Sequence, residues 1–297
     1  MTRGLLEAVP NFSEGRDGAL LDAIGAAIER HARVLDVHAD ADHNRSVFTC
    51  VGDPDGLAAG IVAGVEVAVE RIDLDRHVGV HPRVGAADVL PVVQFDPADP
   101  RPRACAEAIA AAVAALGVPV FGYAGLGEGR RPAFFRAGGP ERLAERMAAG
   151  EVAPIAGPGR LHPRAGAALV GVRAPLVAFN LELETEDAQV AREIAASVRE
   201  RDGGLPGLQA LGLQLASSGH AQVSMNLIDI DATPLHTVVE RVAELARGHG
   251  TAIARGELVG LMPGRVAWAV AAHGLHLADR RADRVLETAV AGEFGRT

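Results

Sequence analysis

The chain has 297 residues, of which 48% are hydrophobic, and its formal net charge is -9 at pH 7. This length allows a large core in one or two domains. The acidic balance argues against nucleic acid as the general partner, because phosphate binding needs a basic surface. No apolar run approaches the roughly 20 residues that cross a bilayer, and the first residues lack the apolar core of a signal peptide. We therefore expect a soluble cytoplasmic protein with no membrane partner.

Hydrophobic periodicity predicts a βαββαβ order in the first half of the chain. The predicted elements are a strand at LLEAV, a helix over 17–31, strands at 34–37 and 46–51, a helix opened by Pro54, and a strand at 88–95. A helix over about 103–116, the strand VPVFGY and a helix near 140–149 complete this half.

The same order returns after the Gly/Pro-rich segment PIAGPGRLHPRAGA, which leads into a strand at ALVGV. The predicted elements are a strand at PLVAFNLEL, a helix from a Thr185 cap to about Arg199, a hairpin of LQALGLQLA and AQVSMNLIDI, a helix over 233–250, a strand at TAIARGELVGL, and a helix beyond about 275. Two βαββαβ runs predict an α+β fold of two ferredoxin-like subdomains, each with helices on one face of a mixed or antiparallel sheet. We place the subdomains at residues 1–175 and 176–297.

Neither the cysteines nor the histidines predict a metal site. Cys50 and Cys105 lie in apolar segments typical of buried thiols. His77 and His81 are four residues apart, as in zinc-binding helices, but the glycine and proline nearby oppose a helix and no third ligand is evident. A metal-dependent hydrolase built on this pair stays an alternative, which predicts bound zinc and loss of activity with a chelator.

A seven-residue pattern, His-Pro-Arg-x-Gly-Ala-Ala, occurs twice. HPRVGAADVLPVV begins at His81 and HPRAGAALVGV begins at His162, and both run into apolar segments. Either the fold needs the same turn twice, or two equivalent loops face one another across a site. On the second interpretation the two loops border one cleft.

His81 has the features of a general acid–base. The proline that follows it biases its backbone towards an extended form, which holds the imidazole in one position, and histidine titrates near neutral pH. Arg83 and Arg164 occupy equivalent places in the repeat and offer a planar fork for carboxylates. Carboxylates that could orient the histidine or accept protons, or equally cap turns, are Asp40, Asp42 and Asp88.

The segments VPNFSEGR, DADHNRSVFT, HPRVGAADVLP, GGLP and QVSMNLIDIDATPLH resemble those of the glutamate formimidoyltransferase (formiminotransferase) family and follow its order. The resemblance spans nearly the whole chain. It implies transfer of a formimino group from N-formimino-L-glutamate to N5 of tetrahydrofolate, giving 5-formiminotetrahydrofolate and L-glutamate in histidine degradation. It also implies a folate groove between the subdomains, no metal, and a possible homodimer. The helical cyclodeaminase domain of the two-function versions is not found in this sequence, so we expect the monofunctional type.

The resemblance also implies site residues. His81 is the expected catalytic histidine. The expected substrate-binding residues are Asn11, Ser13, Asp40, Asp42, Asn44, Arg45, Arg83, Gly85 and Asn226. The expected folate-binding residues are Gly157, Pro158, Arg160, His162, Arg164 and Gly166.

Two further functions stay open at this point. A formyltransferase that uses N-formylglutamate would place a neutral oxygen where the formimino group places a basic nitrogen, and the sequence does not separate the two donors. A folate-binding paralogue without turnover would still bind folate after replacement of His81 by alanine, and would have no transfer activity to lose.

Overall fold

The structure, a computed structural model, describes residues 4–279 together with 281, 285 and 286. The fold is α+β, with a seven-stranded and a four-stranded sheet among these residues. The chain divides into a first unit, residues 4–174, and a second unit that begins at Pro175. Most of the helix predicted beyond about 275 lies outside the described residues. None of the described helices is long and apolar enough to cross a membrane.

The first unit contains a mixed sheet and five α-helices among the described residues. Its strands are β1 (Leu6–Ala8), β2 (Asn11–Phe12), β3 (Arg33–Asp40), β4 (Arg45–Gly52), β5 (Ala87–Val93), β6 (Val120–Ala124) and β7 (Ala168–Arg173). Its helices are α1 (Gly18–Glu29), α2 (Pro54–Arg71), α3 (Arg101–Ala115), α4 (Pro132–Arg136) and α5 (Gly139–Ala148). Because β1 and β2 both pair with β4 and with β5, they act as two pieces of one strand. The sheet order is β3, β4, β1 with β2, β5, β7, β6; β5, β7 and β6 run parallel, and the other neighbours are antiparallel.

Capping residues and apolar periodicity explain where the first helices form. The Asp17 carboxylate accepts from the N–H of Leu20 at the start of α1, and Asp53 does the same for Gly56 at the start of α2. Each such cap contributes about 0.5–2 kcal/mol. The buried side chains of α1, α2 and α3 form one core with one face of the sheet.

Helices also cover the opposite face of the first sheet, so the prediction of helices on one face is wrong for this unit. Phe135 of α4 and Leu143 of α5 pack with Phe121 and Leu169, whose side chains alternate with those of the main core along β6 and β7. The parallel strands β7 and β6 extend the sheet beyond the βαββαβ run, and their outer face needs its own apolar cover. This second layer brings α4 next to β5.

The second unit has a simpler architecture. Its strands are β8 (Val177–Leu183), β9 (Leu208–Gln214), β10 (Ala221–Leu227) and β11 (Ile253–Val259), and its helices are α6 (Ala188–Val198), α7 (Leu235–Gly248) and α8 (Gly264–Gly274). The order is β11, β8, β10, β9, and all neighbours are antiparallel. The predicted hairpin is confirmed as β9 and β10. The helix α8, which the sequence analysis missed, adds Val266 to the core formed with α6 and α7.

Candidate active site

Hydrogen bonds tie three polar loops of the first unit together; these loops precede α1, β4 and β5. The Asn44 side chain accepts from the N–H of Gly15 at 3.0 Å and donates to the carbonyl of Val78 at 3.1 Å. The Ser13 hydroxyl donates to the carbonyl of Gly85 at 2.7 Å. Predicted site residues from all three loops therefore lie in one region, and Asn44, Ser13 and Gly85 help to assemble it.

A buried carboxylate, Asp88 of β5, lies at the centre of this region. Arg45 and Arg136 both donate to Asp88 Oδ2, at 2.7 and 2.5 Å. The N–H of Val84 donates to Asp88 Oδ1 at 2.8 Å. Asn11 accepts from Arg45 Nη2 at 2.8 Å and so fixes the other edge of that guanidinium. Because both of its oxygens are engaged, Asp88 acts as an anchor for the loop that carries His81.

The charges of this cluster do not cancel. Burial alone would raise the pKa of Asp88, but Arg136 and Arg45 together hold it well below its usual range. Burial lowers the pKa of Arg45 to about 10, against the opposing effect of Asp88. At neutral pH the cluster therefore contains two cations and one anion, and a net positive charge remains beside His81.

His81 is held as a neutral imidazole. Its ring is half-buried, and its Nδ1 is inaccessible to solvent and has no hydrogen-bond partner among the described residues. Burial, followed by the positive charges of Arg45 and Arg136, lowers the pKa of His81 well below its usual value. A neutral imidazole in this position can accept a proton from a bound molecule.

A second imidazole lies beside the first. The ring centroids of His43 and His81 are 5.8 Å apart, and His43 is 7% exposed. His43 Nδ1 is 3.7 Å from Asp40 Oδ2. Asp40 Oδ1 accepts from the N–H groups of Asp42 and His43, both at 2.8 Å, which fixes the turn. Of the carboxylates predicted to assist the chemistry, Asp40 is thus beside a histidine.

The sequence analysis missed both His43 and Arg136. The only signal for His43 was its place in the polar run DADHNRS, directly before Asn44 and Arg45. Arg136 ends a five-residue helix in a segment without apolar periodicity, and its contact with Asp88 joins residues 48 positions apart. No local pattern predicts a contact of that kind.

Arg83 is engaged by its own loop. Its guanidinium donates to the carbonyl of His77 at 2.6 Å, with longer contacts of 3.4 Å to the carbonyls of Gly79 and His81. His77 Nε2 in turn lies 2.8 Å from the Asn44 carbonyl oxygen. Arg83 therefore holds the loop that presents His81, and its predicted contact with a substrate carboxylate stays a prediction.

The two repeated loops lie against one another. Gly85 and Gly166 form an antiparallel bridge, flanked by hydrogen bonds of 2.9 Å from Ala86 to Ala165 and from Ala167 to Val84. A Cβ atom on Gly85 would lie 1.7 Å from the carbonyl oxygen of Ala167, so only glycine allows this approach. The repeated loops are therefore in direct backbone contact, which explains the glycines of the pattern. That the two loops border one cleft stays a prediction.

Family models match nearly the whole chain. Residues 5–173 match the N-terminal subdomain of the formiminotransferase domain, and residues 178–287 match the formiminotransferase domain. The chain belongs to the formiminotransferase family.

Curated formiminotransferases are similar over most of this chain. The glutamate formimidoyltransferase of Streptococcus pyogenes serotype M1 is 37% identical over 93% of this chain and 94% of its own. That of Thermoplasma acidophilum is 36% identical over 92% of this chain and 93% of its own. The formimidoyltransferase-cyclodeaminase of Gallus gallus is 38% identical over 87% of this chain, which spans 50% of that longer protein.

The loop of this formiminotransferase that was predicted to bind folate begins with an exposed turn. Gly157 adopts a φ of +91°, and Pro158 and the exposed Arg160 follow it. His162 Nδ1 accepts from the N–H of Ala165 at 3.0 Å, so a neutral His162 carries its proton on Nε2. The side chain of Arg164 is 52% exposed, with its Nε 3.7 Å from Asp73 Oδ2.

The second unit of the formiminotransferase contains the remaining predicted site residue, Asn226. It is exposed on β10, between Met225 and Leu227, whose side chains point into the core with α6 and α7. Asn226 therefore lies on the face of the sheet away from those helices. Within the part of the chain that the structure describes, no group of three or more His, Cys, Asp or Glu side chains is arranged to hold a metal ion.

Proposed function

We propose that this formiminotransferase transfers the formimino group of N-formimino-L-glutamate to N5 of tetrahydrofolate and releases L-glutamate. The observation that carries the proposal is the match of both family models, together with relatives named glutamate formimidoyltransferase that align over more than nine-tenths of their own length. Tetrahydrofolate is then a co-substrate that accepts the group, and His81 is the acid–base residue.

The chemistry requires two proton movements. N5 of tetrahydrofolate attacks the formimino carbon, and the tetrahedral adduct then expels the amine of glutamate. N5 loses a proton and the departing nitrogen gains one, so the reaction consumes no net proton. A neutral His81 can take the first proton as a base and return it as an acid, which contributes roughly 10²–10⁴ in rate. Positioning of the two substrates supplies a larger share.

The charges near His81 suit the substrates. Formiminoglutamate and folate both have glutamyl carboxylates, and the net positive charge of Arg45, Arg136 and Asp88 favours an anion nearby. Arg164, which is half exposed, is the most accessible of the three arginines predicted to bind carboxylates. We assign it to folate or its glutamyl tail. The basic formimino group fits the acidic turn of Asp40 and Asp42.

The sheet orders support a ferredoxin-like origin for both units. In the first unit, the four strands of the βαββαβ run are, in chain order, β1 with β2, β3, β4 and β5. Across the sheet they lie in the order β3, β4, β1 with β2, β5, that is, second, third, first and fourth strand of the run. In the second, β9, β10, β8, β11 gives the same sequence of positions. We propose a duplicated ferredoxin-like subdomain, with the boundary between residues 175 and 176 and with β7 and β6 added to the first copy.

A donor assay tests this function. Purified protein is mixed with tetrahydrofolate and either formiminoglutamate or formylglutamate, and the folate absorbance is followed. We expect transfer with the formimino donor alone, unaffected by a chelator. His81→Ala should lose roughly 10²–10⁴ in kcat and keep its affinity for folate, measured by calorimetry. The exposed His31→Ala is the matched control.

Each other outcome points to an alternative. Reaction with formylglutamate alone identifies the formyl donor, and folate binding without turnover by wild-type protein identifies a binding paralogue. Equal activity of His81→Ala and His31→Ala removes His81 from the mechanism.

A further inference from the structure

His43 has no place in the mechanism described so far, although its ring lies next to that of His81. It comes from the loop between β3 and β4, it is almost fully buried, and it neighbours both His81 and Asp40. A buried imidazole close to both a candidate base and a carboxylate can serve as a proton relay.

The cations around His81 make a long-lived imidazolium costly there. His81 faces Arg45 from β4 and Arg136 from α4, and the single anion between them, Asp88 of β5, already binds both guanidinium groups. A proton that stays on His81 would place a third positive charge next to two others in a buried region.

His43 has a carboxylate of its own nearby. Asp40 Oδ2 is 3.7 Å from His43 Nδ1, whereas Asp88 is shared by two arginines. The other nearby histidine, His77, is oriented by the Asn44 carbonyl at 2.8 Å. The buried Nδ1 of His81, which has no hydrogen-bond partner among the described residues, is on the side closed to solvent, so Nε2 is the nitrogen open to substrate.

We propose that His43 is a proton-relay residue that acts through His81 and is oriented by Asp40. The inference rests on the proposed function. N5 of tetrahydrofolate gives its proton to His81 Nε2 while His81 Nδ1 releases its proton to His43 after a small ring rotation. His81 then returns to its neutral state, and the positive charge lies on His43 beside Asp40. The reverse transfer delivers the proton to the departing glutamate nitrogen.

The test compares His43→Asn and His43→Ala with wild type and with His31→Ala, in the formimino transfer assay. We expect kcat to fall roughly 10- to 100-fold in both His43 variants, with KM for both substrates nearly unchanged, because His43 itself touches neither substrate. Added imidazole should restore part of the activity of His43→Ala and none of that of His43→Asn, where the asparagine fills the space. His31→Ala should match wild type.

The outcomes separate the relay from the function. Wild type without transfer activity contradicts the proposed function itself. An active wild type with His43→Asn within two-fold of its kcat overturns the relay, and so does a loss of activity in His43→Ala that imidazole does not restore.

If the His43 variants do not fold, imidazole ¹⁵N NMR of the wild-type protein decides. The relay requires that His81 carries its proton on Nδ1, so that Nε2 can accept one from the substrate. We therefore expect the Nδ1–H tautomer of His81, and an Nε2–H tautomer overturns the relay.

Discussion

A single buried carboxylate, Asp88, accepts hydrogen bonds from two guanidinium groups and one backbone N–H. It is fully buried, and Arg45 is only 8% exposed. Charged hydrogen bonds of this kind are short and strong, but each buried ion has lost its hydration. The arrangement is therefore stable only while all three groups are present, and removal of the anion leaves two buried cations facing each other.

We predict that Asp88→Asn destabilises the protein by about 3–5 kcal/mol, the usual cost of breaking a buried ion pair. Urea unfolding followed by far-ultraviolet circular dichroism measures the change. The matched control is Asp99→Asn, because Asp99 pairs with Arg101 at the surface, where screening leaves such a pair little effect. An Asp88→Asn variant as stable as the control would show that the arginines do not depend on this carboxylate.

A site residue can be predicted from the sequence when its role depends on its neighbours in the chain, and not when it depends on long-range contacts. His81 could be singled out because the proline after it and the repeat around it are visible in a short string. Arg83 was expected to bind a carboxylate, but an irregular loop with Gly79 and Pro82 leaves carbonyls that no sheet or helix satisfies, and the guanidinium donates to them. Arg136 could not be found, since its role depends on the packing of α4 over β5.

At the scale of elements, the two repeated loops owe their contact to backbone rather than side chains. Val84 and Ala86 bond to Ala167 and Ala165 across the Gly85–Gly166 bridge. Gly166 has a φ of +67°, which disfavours any residue with a side chain. The Gly-Ala-Ala pattern is thus required by the close approach of two loops, one of which carries His81.

Gly85→Ala should destabilise the protein by about 1–3 kcal/mol or more, because the loops must separate to admit a methyl group. Its activity should fall too, since the His81 loop then shifts. Thermal unfolding and the transfer assay measure the two effects. Gly18→Ala, at the exposed start of α1 with no atom within 4 Å of the added carbon, should leave both unchanged or raise stability slightly. Equal melting temperatures for the two variants would mean that the loops adapt freely.

The helices and strands were predictable where a capping residue or an apolar periodicity indicated them. The helix α2 begins at Pro54 as expected, because proline suits the first turn and Asp53 caps it. For α6 the cap is Asp187, and the predicted cap Thr185 instead accepts from the Asp187 N–H. The short α4 has no period to detect, and it forms because Phe135 packs against Phe121 with ring centroids 5.1 Å apart.

At the scale of the whole chain, the order of elements was a better guide than their pairing. Two βαββαβ runs were visible, but nothing local indicated that β7 would join β5 in parallel. That pairing follows directly after the bridged loops, so it depends on a contact between residues about eighty positions apart. The second layer of helices on the first sheet follows from the same addition.

Several histidines of the first unit are held neutral, which links folding to pH. Burial lowers the pKa values of His81 and His77 from an ordinary value of 6.5. Below that value the unfolded chain binds protons that the folded chain does not, so the free energy of unfolding decreases as the pH is lowered. Asp88 affects stability at a lower pH, because its pKa is lower in the folded chain than in the unfolded one. Its contribution to stability is present above about pH 4 and is lost only as the pH falls further.

Stability should therefore decrease between pH 7.5 and 5.5, before the carboxylates titrate. One histidine that stays neutral in the fold accounts for about 1 kcal/mol of this loss, because pH 5.5 is about one unit below the pKa of histidine in the unfolded chain. Urea unfolding at the two pH values measures the difference, and His81→Gln should reduce it because glutamine takes up no proton in either state. His31→Gln, at an exposed position, is the control and should keep the wild-type difference. If His81→Gln loses as much stability on acidification as wild type, the fold does not lower the pKa of His81, contrary to the effect of its burial and of the two arginines.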